Sequence, residues 1–338
     1  MGLRRLYALA PRLSLIRVKA PTRNFRYARH IAVTSFPATA CSRPTALPVE
    51  SRLQAAAAFA SILIALTKPR LALFSVLTAM TAYIVAAPEI SPTLASLAFL
   101  ATTLAAAGAL SLNQWWERRT DALMRRTRQR PLPSAQLSPP VALLWSLFLS
   151  FAGILLFASA LNLPSAAIAA ATILLYGVIY TPLKRRTRWA TEIGSLSGAL
   201  PPLLGAAAAS HLGSPHAWTL SAILFFWQMP HFFAIGWMHR ADYRAAGFPL
   251  LPAIDETGAR TAAWSCFYTA LAITASLAPC VFGLFGPLYA TTAAIGGLGF
   301  MRAALQFRAA KETRDVAARR LFLASIVYLP AILIASAI

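Results

Sequence analysis

The feature that most constrains this chain is a series of apolar stretches whose connections are basic every second time. Nine stretches read as membrane spans, since a helix needs ~20 apolar residues to cross a hydrocarbon core of roughly 30 Å. They cover about 71–87, 93–112, 141–160, 164–181, 190–209, 217–237, 261–283, 286–304 and 320–337. Lys68 and Arg70 precede the first. Arg118–Arg130, Lys184–Arg188, Arg240–Arg260 and Arg302–Arg320 surround every second connection after it. The alternate connections, around 88–92, 161–163, 210–216 and 284–285, hold no Lys or Arg, and Glu89 is their sole charge. By the positive-inside rule, this puts the basic residues of the region on one membrane face, cytoplasmic or matrix. The expected fold is all-α: a polytopic membrane protein of about nine transmembrane helices around a central cavity. Residues 53–67 are apolar and Ala-rich and read as an interfacial helix leading into the first span.

Composition agrees. The chain is 58% hydrophobic and 12% charged, about half the charged fraction of a soluble domain. A net charge of +21 would suit a nucleic-acid partner, but the basic residues are spread over short loops between apolar spans. A nucleic-acid partner is therefore excluded. Cys41, Cys266 and Cys280 show neither metal spacing nor a paired framework.

Residues 1–49 contain nine Arg and Lys and no acid; the first acid is Glu50. That composition matches a mitochondrial transit peptide, and equally a bacterial basic extension. Residues 1–52 are expected to form a targeting or disordered segment, and 53–338 the intramembrane domain. The membrane is then a bacterial plasma membrane, with the mitochondrial inner membrane as the alternative.

Three segments carry candidate chemistry. In the first, Asn113, Glu117 and Asp121 are spaced i, i+4, i+8, which on a helix aligns them on one face over roughly 12 Å. Two carboxylates and an amide suit Mg²⁺, a hard cation that takes oxygen ligands and in turn holds phosphates. Arg126 and Arg130 follow as natural diphosphate partners. A solvated loop with helix-stabilising Glu–Arg pairs is the other reading. The second segment, Tyr180-Thr-Pro-Leu-Lys184, closes the fourth span; an interfacial Tyr and positive-inside residues account for it as well. In the third, Gln228, Pro230 and His231 lie inside an apolar span, where polar groups face a cavity or a partner. His239, Arg240 and Asp242 follow at the membrane edge. His231 reads as a hydrogen-bonded packing residue, a haem contact or a proton-transfer group.

Together with Gly198-Ala-Leu-Pro-Pro-Leu-Leu-Gly205, these segments resemble the UbiA superfamily of intramembrane prenyltransferases, and within it the haem-farnesylating branch. Four motifs occur in the family's order across spans two to seven. The first matches the family's N-x-x-x-D-x-x-x-D with Glu117 in the middle position. The second departs from D-x-x-x-D: Asp242 alone remains, and His239 stands close to the place of the first Asp. The resemblance implies transfer of a farnesyl group from farnesyl diphosphate to a vinyl group of haem b. It implies Mg²⁺ at Asn113, Glu117, Asp121 and Asp242, and catalytic roles for Asp121, Glu117, Asp242, Lys184 and Tyr180. Asn113, Arg126, Arg130, His231, Gln228, His239, Arg240, Lys68 and Arg70 would bind substrate, with His231 orienting or ligating haem. The implied partners are farnesyl diphosphate, haem b and the lipid bilayer, with the next haem-modifying enzyme or oxidase assembly factors beyond them. Alternatives are a related enzyme acting on a quinone or chlorophyll precursor, or a transporter for an anionic substrate. A transporter would show polar residues reachable from both faces, whereas the far-side loops here are short and nearly uncharged.

Overall fold

A computed structural model describes residues 49–338, with side chains from Leu53 onward. The expected extension at 1–52 therefore lies almost wholly outside the described residues. Within them the chain is entirely helical: α1 Val49–Leu66, α2 Pro69–Ala86, α3 Pro92–Asp121, α4 Pro139–Ala160 and α5 Leu163–Ile173 come first. A π-helical stretch, Leu174–Tyr180, follows α5 and runs into α6 Thr181–Leu183. Then come α7 Ala190–Gly198, α8 Leu200–Ala208, α9 Pro215–Met238, α10 Arg240–Ala245, α11 Leu251–Ile254, α12 Ala259–Val281, α13 Pro287–Ala309 and α14 Arg314–Ser336.

Proline and a capping side chain set where helices begin. Pro69, Pro92, Pro139, Pro215 and Pro287 each occupy the first turn of their helix, where the missing N–H costs nothing. Asn162 caps α5 by accepting from the Ser165 amide at 2.9 Å. Asp255, buried before α12, accepts from the Gly258 and Thr261 amides at 3.1 and 2.8 Å.

Seven helices are long and apolar enough to cross a membrane: α2, α3, α4, the continuous α5–α6 unit, α9, α12 and α14. The expected count of about nine is not reached on that measure, and the reason is local. The stretch at 190–209 is split into two nine-residue helices, because Pro201 and Pro202 offer no amide to the preceding turn. The Ser221 hydroxyl donates to the Ala199 carbonyl at the break, 2.6 Å away. The α13 helix has 23 residues but carries three glycines and two arginines, and is not among the seven.

The two ends of the molecule sort as the charge pattern predicts. At one end the connections before α2, α4, α7 and α10–α12 meet through Lys68–Asn113, Arg130–Asp121, Lys184–Glu117 and Arg125–Asp242. At the other end, Asn162 Nδ2 donates to the Ala207 carbonyl at 2.7 Å, and His216 Nε2 lies 2.9 Å from the Leu284 carbonyl. Small residues let the helices approach closely, as membrane helix pairs require. A Cβ on Gly153 would stand 2.6 Å from the Ala105 nitrogen, and one on Gly205 would overlap the Ala79 carbonyl. The opposite face of α4 exposes Leu144, Phe148, Phe151 and Leu155 in one stripe. That surface is a liability in water and is suited to lipid. The chain is an integral membrane protein.

Candidate active site

The site is built on the last two turns of α3. Asn113, Glu117 and Asp121 are 2%, 7% and 0% exposed, so the i, i+4, i+8 stripe is a buried face and not a solvated one. Polar groups at such depth need partners, and three cations from elsewhere in the chain supply them. Lys68 Nζ donates to Asn113 Oδ1 at 2.7 Å. Lys184 Nζ stands 3.0 Å from Glu117 Oε1, and Arg130 Nη1 2.7 Å from Asp121 Oδ2.

Each cation is placed by a local backbone feature. Lys68 sits between α1 and α2 with φ of 50°, a left-handed conformation that costs an L-residue roughly 1 kcal/mol. Gln114 Nε2 donates to the Leu66 carbonyl at 2.7 Å, which ties the end of α1 to α3 and brings Lys68 to Asn113. Lys184 follows the π-helical stretch. Pro182 lacks an amide and its ring crowds the turn before it, a known cause of helix widening. The wider turn is where Tyr176, Tyr180, Thr181 and Lys184 gather, and π-helical turns recur at functional sites. Gly194 leaves room for the Tyr180 ring, which a Cβ would meet at 2.7 Å. Arg130 ends a tight set of turns after α3, in which the Thr127 hydroxyl donates to the Asp121 carbonyl at 2.9 Å.

The electrostatics follow from this crowding. Burial, and then repulsion from Arg130, lower Lys68 to about 7, against the attraction of Glu117 and Asp121. Burial also works against the charge on Lys184, but the adjacent Glu117 outweighs it and holds Lys184 above the ordinary lysine range. Two carboxylates thus face three basic groups, a surplus suited to a polyanion. Asp121 Oδ1 is buried without a hydrogen-bond partner, an acceptor open to a cation.

The donor set fits Mg²⁺ in one respect and limits it in another. The stripe offers only oxygen ligands, as Mg²⁺ prefers. Among the described residues no three carboxylate, imidazole or thiol groups converge closely enough to hold a metal alone. Mg²⁺ bound through one or two carboxylates completes its shell with phosphate oxygens and water, and the stripe matches that pattern.

The third segment contributes less than its residue types suggest. Asp242 on α10 pairs loosely with Arg125 at 3.8 Å and not with the stripe. Arg126 reaches the Tyr243 hydroxyl at 3.5 Å, and Lys184 lies 5.6 Å and 5.0 Å from the Tyr243 and Phe248 ring centres. Tyr243 and Phe248 therefore join the second segment to the third, Arg125 joins the first segment to the third, and none stood out by residue type. His239 is partly buried; burial and then Arg126 lower its pKa below the usual histidine range.

Four further sequence candidates are not brought to the stripe. Arg240 forms a two-point pair with Asp315 at 2.8 and 3.3 Å, where α9 meets α14. His231 is fixed against α14, with Nδ1 2.8 Å from the Ser325 hydroxyl and its ring stacked on Trp227. These contacts fix its ring between α9 and α14. Gln228 Nε2 donates to the Leu224 carbonyl at 2.9 Å and its amide fills the space beside Gly198. Arg70 is exposed. Thr181 was the residue missed: its hydroxyl accepts from Asn113 Nδ2 at 3.0 Å and donates to the Tyr176 carbonyl at 2.7 Å.

The helical bundle thus gathers a buried acid stripe and a basic crown at one end, and similarity to known proteins gives its class. The model of the UbiA prenyltransferase family matches residues 72–326, and the chain belongs to that family. It is 43% identical over 268 residues to a protoheme IX farnesyltransferase of Opitutus terrae, covering 79% of this chain and 90% of that one. A protein of the same name from Solibacter usitatus is 39% identical over 279 residues, covering 80% and 95%. Among solved structures, a digeranylgeranylglyceryl phosphate synthase superposes with a TM-score of 0.68 at 18% identity, over 82% of this chain and 98% of that one. A UbiA homologue from Archaeoglobus fulgidus bound to DMAPP and Mg²⁺ gives 0.59 at 15% identity, over 80% and 96%.

Proposed function

We propose that the chain transfers the farnesyl group of farnesyl diphosphate to a vinyl group of haem b, giving haem O and diphosphate. The observation that carries the site reading is the buried Asn113–Glu117–Asp121 face opposed by Lys68, Lys184 and Arg130, with Asp121 Oδ1 left open. The choice of farnesyl and haem is supported by the relatives that share the name protoheme IX farnesyltransferase.

In this account Lys68, Lys184 and Arg130 turn from the stripe to the diphosphate oxygens, and Arg126 and Tyr180 add donors at the rim. Their charge stabilises the electron pair that leaves with diphosphate when the allylic C–O bond breaks. Asn113, Glu117 and Asp121 would hold Mg²⁺, which supplies further positive charge to the leaving group, and Asp242 would add a ligand from the α10 side. The apolar helix walls hold the farnesyl chain and keep water from the allylic carbon until the vinyl group has attacked it. The new C–C bond leaves a cation on the former vinyl carbon. Water adds there and gives up a proton, so that haem b, farnesyl diphosphate and water become haem O and diphosphate. The basic connections support a cytoplasmic orientation of this face, or a matrix one in a mitochondrion.

Membranes containing the chain, given haem b, farnesyl diphosphate and Mg²⁺, should yield a haem with the mass of a farnesyl group and one hydroxyl group added. Chelation should abolish it. Unchanged haem alongside a prenylated aromatic acid would overturn the haem assignment and leave the family intact.

A further inference from the structure

We infer that Thr181 is the positioning residue that turns the Asn113 amide so that its oxygen, and not its nitrogen, faces the metal–diphosphate site. The inference rests on the reading of Asn113 as a metal ligand. An asparagine side chain has an acceptor on one side and a donor on the other, so a wrong orientation would present an N–H₂ to a cation. Something must therefore choose between the two.

Two neighbours make that choice independently. On one side, Lys68 Nζ lies 2.7 Å from Asn113 Oδ1; in its charged form it has donors only and requires the oxygen. On the other side stands the Thr181 hydroxyl, 3.0 Å from Asn113 Nδ2. A hydroxyl can donate or accept, and by itself it would not discriminate. Thr181 does, because its proton is already committed to the Tyr176 carbonyl at 2.7 Å. Only lone pairs remain for Asn113, and only the amide N–H₂ can meet them.

The commitment comes from the π-helical stretch. The Thr181 backbone amide also donates to the Tyr176 carbonyl, five residues back, so both Thr181 donors converge on one oxygen. Thr181 and Asn113 are 3% and 2% exposed, which keeps bulk water from offering either group another partner. The irregular turn thus acts on the site through one hydroxyl. If Lys68 leaves Asn113 for the diphosphate, Thr181 is the group that still holds the amide in register.

The test compares Thr181→Val, which keeps the shape and removes the hydroxyl, with Thr181→Ser, which keeps the hydroxyl. Mn²⁺ binding to the full chain in detergent is read by electron paramagnetic resonance with farnesyl thiodiphosphate, a slow-reacting analogue. The Mg²⁺ dependence of farnesyl transfer is read in parallel. Thr181→Val should weaken Mn²⁺ binding and raise the half-saturating Mg²⁺ concentration by about tenfold, the lower end for loss of a group that orients a ligand. Turnover at saturating Mg²⁺ should stay within about threefold, and Thr181→Ser should bind Mn²⁺ within about twofold of the parent. Adding Asn113→Asp to Thr181→Val should restore Mn²⁺ binding, because a carboxylate has an oxygen on both sides. Such rescue by a change at a second residue would show that the loss in Thr181→Val lies at the Asn113 amide and not in the fold. Asp121→Asn serves as the reference that loses Mn²⁺. Parent-like Mn²⁺ binding in Thr181→Val, or equal loss in Thr181→Ser, would overturn the inference while the metal site stands. Parent-like binding in Asp121→Asn would overturn the metal reading and this inference with it.

Discussion

Replacing Lys184 by Met separates the two roles this residue can have, strut and diphosphate ligand. The ammonium stands 3.0 Å from Glu117 Oε1, with the two side chains 13% and 8% exposed. At that distance and an effective dielectric of ~20, the attraction is about 5 kcal/mol. Holding a lysine in one rotamer costs about 2 kcal/mol of it. Removing one partner also strands a buried carboxylate, for which the usual loss is about 3–5 kcal/mol. Lys68 also acts on Glu117, which points to the lower end, about 3 kcal/mol. The Lys184→Met protein should therefore melt measurably earlier in detergent. Adding Glu117→Gln removes the stranded charge and should recover most of that stability. Activity should behave oppositely: both the single and the double variant should lose about 10²–10³-fold in turnover, the scale for a lost charge-stabilising donor. A double variant that regains turnover along with stability would refute the reasoning, because Lys184 would then be a strut alone. So would a Lys184→Met protein with parent-like melting and turnover.

Other predictions follow from the same geometry. Asp121→Ala should leave the protein inserted in the membrane and lower haem farnesylation by at least about 100-fold; normal haem O formation would remove Asp121 from the site. Arg240→Ala should cost about 1 kcal/mol of stability through its pair with the exposed Asp315, with the KM for farnesyl diphosphate unchanged; a large KM change would return Arg240 to the substrate site. Gly205→Ala should destabilise by about 1–3 kcal/mol or more, since the new methyl group would collide with the α2 backbone at Ala79. A melting curve like the parent's would show that α2 and α8 are not packed this closely.

Residue types and spacings carried part of this site, and contacts distant in sequence carried the rest. The Asn113, Glu117, Asp121 stripe was legible because helical spacing alone aligns the three side chains, and they all prove buried. The basic loops were legible because sidedness is a property of charge placement. Arg240 looked like a substrate ligand because it follows a polar motif. Its partner Asp315 lies 75 residues away, and no local pattern announces that pairing. His231 is a similar case, since Ser325 is 94 residues distant. The α7–α8 break was visible in principle in Pro201-Pro202, which hydropathy averages over. The π-helical stretch was not: Leu-Leu-Tyr-Gly-Val-Ile-Tyr reads as an ordinary apolar helix. Its consequence, a threonine whose proton is already spent, exists only in three dimensions.

The central claim is that the buried stripe holds a divalent cation together with diphosphate at the basic membrane face. Locating Mn²⁺ by anomalous diffraction, in crystals of the full chain with farnesyl thiodiphosphate, tests it most directly. The account predicts a peak within about 2.5 Å of Asp121 Oδ1, with Lys184 moved from Glu117 onto a phosphate oxygen. A peak elsewhere, with Lys184 still seated on Glu117, would contradict it.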